Sequence, residues 1–328
     1  MQLIHNTGYL PAPDDARDWP LSALAIPPGI PAAASLETFV SRIDNQASKP
    51  WCVAFGACNA VEFEMKRQGL PVPEGGFSKA WLYAMCKAND GIPDKDGTYI
   101  RTALGIAKNY GLCPDSVCPT AVYLNKDSLP VLTPAMAEAA AKYKISGYAR
   151  LEKPEIKNAI ACGNFVLIGS YVEQDNWLDG DDLITEPKGT VLGGHCTYLF
   201  GYDNGQTVQN KGANSWGPGW GDQGKYRMSD HYLNLVVNNT PTVYEAWAFS
   251  VGGAMKMIEK KLEQLPKLID DHFSLPFRAI YEALGAKVWW YRNTAGKVVG
   301  CAELSLKDRT VTIEVTQDSG TMRVYESG

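Results

Sequence analysis

Residues 193–198 read Gly193-Gly194-His195-Cys196-Thr197-Tyr198, and residues 214–224 read Asn214-Ser215-Trp216-Gly217-Pro218-Gly219-Trp220-Gly221-Asp222-Gln223-Gly224. The first stretch sets a histidine at the head of an apolar β-type run, behind two glycines. The second crowds two tryptophans among glycines, an uneconomical way to build an ordinary core. The chain's other histidines are His5, His231 and His272, and none has such a setting. Upstream, Gln46 stands six residues before Cys52, and Cys52 opens a long apolar run.

That run, Pro50 to Arg67, predicts one helix: Pro50 suits its first turn, Gly69 its stop, and Ala54, Ala57, Val61 and Met65 share one face at helical spacing. Further helices are expected over Ser78 to Lys87 and Tyr99 to Tyr110, the latter stopped by Gly111. From Phe165 the texture changes to β-type runs: Phe165 to Val172, Thr197 to Tyr202, Thr207 to Gln209 and Lys225 to Met228. Residues 46–140 therefore read as mainly helical and 141–252 as mainly β. Residues 1–45 read as an extended, proline-rich lead-in with nothing that points to chemistry. Residues 253–328 read as a small α+β module, with helices over Met255 to Ile269 and Pro276 to Leu284. Its strands are expected at Val288–Tyr291, Val298–Leu304, Thr310–Val315 and Met322–Tyr325, in an antiparallel meander. The fold class is α+β.

The chemistry follows from residue types. A thiol is a nucleophile only as thiolate, and a cysteine in the first turn of a helix gains anion stabilisation from the helix dipole and free N–H groups. Cys52 fits that position. A protonated imidazole beside it lowers the thiol pKa further and can later protonate a leaving amine, a role for His195. A side-chain amide oxygen, that of Asn214, can accept the other ring N–H and hold one tautomer. The Gln46 amide and the Cys52 backbone N–H can supply an oxyanion hole.

Together these residues resemble the papain-like cysteine peptidases (C1 type), in which Cys, His and Asn act in this order. The resemblance covers about Asp44 to Phe249. It is carried by Gln46 to Phe55, Asp96-Gly97-Thr98, Tyr110-Gly111-Leu112, Gly193-Gly194-His195 with Gly201-Tyr202-Asp203, and Asn214-Ser215-Trp216-Gly217. It is similar above all to the bacterial and bacteriophage branch. The resemblance implies a two-lobe fold, one helical and one β-rich, with a cleft between Cys52 and His195. It implies peptide-bond hydrolysis through a thioester acyl-enzyme, with a polypeptide as substrate and no cofactor or metal. It further implies that Trp216 covers the Asn–His hydrogen bond and that Asp96, Gly97 and Thr98 border the substrate.

The chain also departs from the family. Around the nucleophile it reads Lys49-Pro50-Trp51-Cys52-Val53, so the short signature C-G-[SA]-C-[WY] is met only at the cysteine. Pro50 and Trp51 put bulk where a substrate backbone would pass, which makes Trp51 a candidate substrate contact. His195 follows Cys52 by 143 residues (195 − 52), inside the papain-type spacing of about 130–150, whereas Asn214 lies slightly beyond it.

The remaining features bound the reading. With 31 basic and 36 acidic side chains the net charge is −5, which gives no footprint for a nucleic-acid partner. The longest uncharged stretch, Trp19 to Leu36, carries four prolines (Pro20, Pro27, Pro28 and Pro31) and is not a membrane span. The eight cysteines include no CxxC pair and read as reduced thiols, a Cys113–Cys118 disulfide being the alternative for that pair. Met1 to His5 lacks a secretory signal, and with the resemblance this places the chain in the cytoplasm or in a phage particle. Trp289-Trp290-Tyr291 offers either internal packing or a surface for a protein partner of the C-terminal module. Two rival readings stay open: a papain-fold acyl-transfer enzyme such as a deamidase or cross-linking enzyme, and a catalytically silent binding or structural protein.

Overall fold

The computed structural model describes residues 7–13, 15, 30–178, 183–205 and 209–252, together with the backbone of six C-terminal strands. The chain divides into two compact units, Met1–Ile258 and Glu259–Gly328.

In the first unit a short strand β1 (Ala33–Ser35) precedes the helices α1 (Cys52–Arg67), α2 (Lys79–Asn89), α3 (Ile100–Asn109), α4 (Thr120–Leu124) and α5 (Pro134–Ala140). There follow β2 (Ile145–Leu151), α6 (Glu155–Ala161) and β3 (Val166–Glu173), then a π-helical turn (Gln174–Leu178) and β4 (Leu183–Ile184). The unit ends with β5 (Val191–Asp203), β6 (Gln209–Ala213), β7 (Lys225–Ser229), α7 (Asp230–Asn234), β8 (Val236–Val237), β9 (Thr240–Pro241) and β10 (Val243–Val251). The main sheet runs β2-β10-β3-β5-β6-β7-β4, with β1 added to β5. Its pairings are antiparallel except β4–β7.

Local chemistry sets the helix limits. Cys52 begins α1 directly after Trp51, and beyond its end Gly69, at φ +68°, lets the Leu70 N–H close onto Met65 O at 2.9 Å. The Ser78 hydroxyl caps α2 by accepting from Trp81 N at 3.0 Å. The α1 face at Ala54, Ala57, Val61 and Met65 is buried, but so is every other residue from Cys52 to Met65, because this helix runs through the core rather than over it. Phe63 locks α1 to the sheet: its ring lies 6.2 Å from Phe165 and 6.0 Å from Tyr198 of β5, and truncating it to alanine should cost about 3–5 kcal/mol.

Two apolar clusters result. One gathers α1, α2 and α3 with the near face of β3, β5 and β10. The other fills the far side of the sheet around α6, Trp177, Trp216, Trp220 and Tyr226. The fold is α+β. Cys52, Cys58, Cys86, Cys113, Cys118, Cys162 and Cys196 are free thiols, so Cys113 and Cys118 are not bridged. Among the described residues no helix is long and apolar enough to cross a membrane.

The strand expected over Thr207 to Gln209 begins instead at Gln209 and runs to Ala213, while residues 206–208 lie outside the described part. The helix expected over Met255 to Ile269 is corrected at its end. Leu268 and Ile269 form a strand, β11, paired with β12 (His272–Phe273), and residues 253–267 lie outside the described part. The helix expected over Pro276 to Leu284 also lies outside it. The four predicted strands are present as β13 (Lys287–Arg292), β14 (Val298–Ser305), β15 (Thr310–Thr316) and β16 (Met322–Ser327), an antiparallel meander in chain order. The side-chain packing of Trp289, Trp290 and Tyr291 lies outside the described residues.

Candidate active site

Three elements converge on one place. Helix α1 presents Cys52 at its first position, β5 carries His195 and Cys196, and the chain leaving β6 carries Asn214 to Trp216. His195 Nε2 lies 2.7 Å from Asn214 Oδ1, and both residues are buried. That contact makes Nε2 the protonated nitrogen and leaves the Nδ1 lone pair as the basic one in the neutral ring. The Trp216 ring lies 4.8 Å from the imidazole and the Trp177 ring 5.9 Å from it, so the pair sits in an aromatic enclosure. Water excluded from such a site strengthens its hydrogen bonds.

Gln46 is fully buried and held at both ends of its amide. Its Nε2 donates to Lys49 O at 2.8 Å, and its Oε1 accepts from the Ser215 hydroxyl at 2.6 Å. The backbones join as well, Gln46 N donating to Ser215 O at 2.8 Å. Ser215 thus couples Gln46 to the neighbour of Asn214, a link that no sequence motif announces. With the amide orientation set, one Nε2 proton goes to Lys49 O.

Cys52 is fully buried, and burial pushes its thiol up to about 12. Backbone N–H groups of Cys196, Gly8, Val53 and Cys52 itself are directed at the sulfur and offset this only in part. One of these belongs to the lead-in. Residues 7–10 cross the site as an extended strap: Tyr9 N donates to Gly194 O at 3.0 Å, Thr98 N to Gly8 O at 2.9 Å, and Leu10 N to Thr98 O at 3.1 Å. A β-carbon on Gly8 would collide with the Pro50 carbonyl, so only glycine lets the strap sit so low. Part of the lead-in, in which the sequence shows nothing that points to chemistry, thus lies at the site. The strap attaches through its backbone, which leaves no side-chain pattern to read.

Of the expected peptide-bordering residues, Gly97 and Thr98 are buried beneath the strap, whereas Asp96 is exposed. Trp51 is 2% exposed and stacks on Tyr83 with ring centroids 5.3 Å apart; the Tyr83 hydroxyl accepts from Gly97 N at 3.0 Å. Trp51 thus supports the Gly97 lip from inside and offers no open surface. Trp177 escaped the sequence reading because no motif surrounds it.

A family model described as papain family cysteine protease matches residues 30–244. Among solved structures, xylellain, a cysteine protease from Xylella fastidiosa, superposes with a TM-score of 0.63 at 23% identity, covering 75% of this chain and 96% of its own. The Amb a 11 cysteine protease of ragweed pollen, in its proform, gives 0.55 at 20% identity, covering 70% of this chain and 69% of its own. Digestive procathepsin L 3 of Tenebrio molitor larval midgut gives 0.53 at 19% identity, covering 68% and 71%. No curated protein sequence matches the chain. These likenesses carry the fold, while the family match spans well over half of the chain. The chain belongs to the papain family of cysteine proteases.

Proposed function

We propose that this chain hydrolyses peptide bonds by a Cys-His-Asn mechanism. The observation that carries the reading is the 2.7 Å contact of His195 Nε2 with Asn214 Oδ1, roofed by Trp216, on the strand whose next residue, Cys196, points its N–H at the Cys52 sulfur. His195 takes the Cys52 thiol proton on Nδ1, and the thiolate attacks the carbonyl carbon of the substrate. The oxyanion that forms is held by the Gln46 side-chain amide and the Cys52 backbone N–H, each worth about 3 kcal/mol. The imidazolium returns its proton to the leaving amine as the C–N bond breaks, and a thioester remains. Water, deprotonated by His195, then releases the acid and restores the thiol. Asn214 keeps the ring in the one tautomer and plane that serve both steps.

In the arrangement described here residues 7–10 occupy the cleft, so a substrate must displace them. A catalytically silent papain-fold protein is the second reading, and one observation favours it: a Cys52 thiol at about 12 is no nucleophile at neutral pH. Alkylation separates the two. The full chain is treated with iodoacetamide across pH 5–9 and mapped, alongside Gly8→Val, which forces the strap off, and His195→Ala in that background. Peptide hydrolysis is assayed in parallel. The peptidase reading expects rapid single-site labelling of Cys52 in Gly8→Val below about pH 7, lost with His195→Ala. Labelling no faster than that of the other cysteines, with a midpoint near about 8.5 and no hydrolysis, establishes the silent protein instead.

A further inference from the structure

On the far side of the sheet lies a buried acid that the mechanism does not use. Glu173 is the last residue of β3 and is 2% exposed. The Tyr232 hydroxyl of α7 stands between its carboxylate oxygens, 2.7 Å from Oε1 and 2.8 Å from Oε2. Burial pushes this carboxyl above its ordinary value, and its hydrogen bonds offset that only in part. Tyr232 is fully buried and is itself fixed, since its N–H donates to the Ser229 hydroxyl at 3.0 Å and the Thr242 hydroxyl donates to its carbonyl. An apolar pair would fill the same space without desolvating a carboxylate, whereas a hydrogen-bonded acid fixes a direction.

Directly after Glu173 the chain leaves the strand as the π-helical turn Gln174–Leu178. Such turns are rare and gather at functional sites. Hydrogen bonds pin this one along its length. Gln174 N donates to Thr190 O at 2.9 Å and Asp175 N to Lys188 O at 3.2 Å, while Asn176 Nδ2 donates to Glu186 O at 2.6 Å and to Glu173 Oε2 at 3.3 Å. The turn delivers Trp177, which is fully buried with its ring 5.9 Å from the imidazole and 6.2 Å from Trp216. With the 4.8 Å contact of Trp216 and His195, the three rings close a triangle. The Trp177 indole N–H is directed at Glu173 and Tyr232 without reaching hydrogen-bond geometry.

We propose that Glu173 and Tyr232 are positioning residues for His195, which they hold through Trp177. The inference rests on the peptidase reading above. Glu173, locked by Tyr232, fixes the start of the π-helical turn and, through Asn176, its middle, so that Trp177 stands in one place. There it backs the Trp216 ring and the imidazole together and keeps water from the hydrogen bond between His195 Nε2 and Asn214. Glu173, Tyr232 and Asn176 are all buried, so a peptide substrate does not meet them. Their effect reaches the reaction through the orientation of the ring alone.

A pair of substitutions separates positioning from packing. Glu173→Met alone leaves the Tyr232 hydroxyl buried without an acceptor, and Tyr232→Phe alone takes the hydroxyl donor from the carboxylate, so each single variant should unfold at lower urea. Together they orphan neither group, and the urea midpoint should return close to the parent's. In the full chain carrying Gly8→Val, the double variant should still show kcat about ten-fold lower with KM within about two-fold, because what is lost orients the reacting imidazole. Glu173→Gln keeps an acceptor for the Tyr232 hydroxyl and should keep at least about half of the parent kcat. A second measurement needs no turnover. In the otherwise unaltered chain, with histidine labelled by ¹⁵N, the Nε2 proton of His195 should exchange with water at least about ten-fold faster in the double variant, as read by NMR. A double variant that recovers stability and kcat together, with exchange unchanged, overturns the positioning role and keeps the peptidase. A kcat as low in Glu173→Gln as in the double variant overturns it as well. Faster exchange in a chain that hydrolyses no peptide removes the peptidase reading and keeps the positioning role.

Discussion

The backbone N–H of Tyr9 donates to the carbonyl oxygen of Gly194 over 3.0 Å, and Gly194 is the residue immediately before His195. The strap is thus tied to the strand that carries the imidazole on one side and to Thr98 on the other. Beneath it, Gly8 aims its N–H at the Cys52 sulfur in a site dry enough to push that thiol up to about 12. A thiol that far above the ordinary cysteine value of 9.0 has about a thousandth of the usual thiolate at neutral pH. Gly8→Val should therefore raise the rate of Cys52 alkylation at pH 7 at least about ten-fold. Kinetic labelling with peptide mapping checks this, and an unchanged rate would mean that the strap does not keep the thiol dry.

On the proposed mechanism Asn214 acts through His195. Asn214→Ala removes the 2.7 Å acceptor from Nε2 and frees the ring to rotate or change tautomer. In the Gly8→Val background kcat should fall about a hundred-fold with KM within about two-fold, because the lost interaction orients the reacting group and does not touch the peptide. Steady-state kinetics on one fluorogenic peptide decides it, and a rise in KM at constant kcat would assign Asn214 to substrate binding.

The candidates Cys52, His195 and Asn214 stand out in the sequence because the proposed chemistry calls for those residue types, in that order, and the structure sets them at a helix start, on a glycine-flanked strand and in an aromatic loop. The α1 helix and strands β3 and β5 are legible from periodicity, since each buries a continuous apolar run. The strap is not legible, because Thr7 to Leu10 bond through main-chain groups that every residue possesses. Ser215 hides for a similar reason. Its hydroxyl matters only because folding brings Gln46 within 2.6 Å across 169 residues of sequence.

Glu62 gives the fold a dependence on acid. It is buried in α1, and although burial alone would raise its pKa, Arg42 at 2.5–2.6 Å and Lys66 at 2.7 Å outweigh that and hold it below its usual value. A depressed carboxyl contributes stability above its unfolded pKa of about 4.5, and the contribution is lost as pH falls through the lower folded value. Arg42→Ala should cost about 2 kcal/mol at pH 7, and the gap between variant and parent should narrow below about pH 4. Urea melts of both proteins at pH 7 and pH 3.5 measure it. A gap that stays constant with pH would place the Arg42 contribution in its packing over the Phe63 ring.

Lys87 holds the lip of the cleft. Its ammonium, nearly buried, donates to Asp90 Oδ2 at 3.0 Å, Ile92 O at 2.7 Å, Lys95 O at 2.7 Å and Gly97 O at 3.0 Å, so residues 90–97 wrap around an internal cation. Asp90 Oδ2 also accepts from the Thr98 hydroxyl at 3.0 Å, which links this cation to the residue that pairs with the strap. Lys87→Met keeps the length of the side chain and removes the charge. The three N–H donors shared among these oxygens are then lost at once, a cost of about 2 kcal/mol that the exposed loop can recover by opening to water. Opening displaces Gly97 and Thr98 and leaves the Cys52, His195 and Asn214 geometry alone. In the Gly8→Val background Lys87→Met should therefore raise KM about ten-fold or more with kcat nearly unchanged, and should speed proteolytic nicking between residues 90 and 97. Equal losses in kcat and kcat/KM would instead tie Lys87 to the reacting groups, through the helix α2 that carries it.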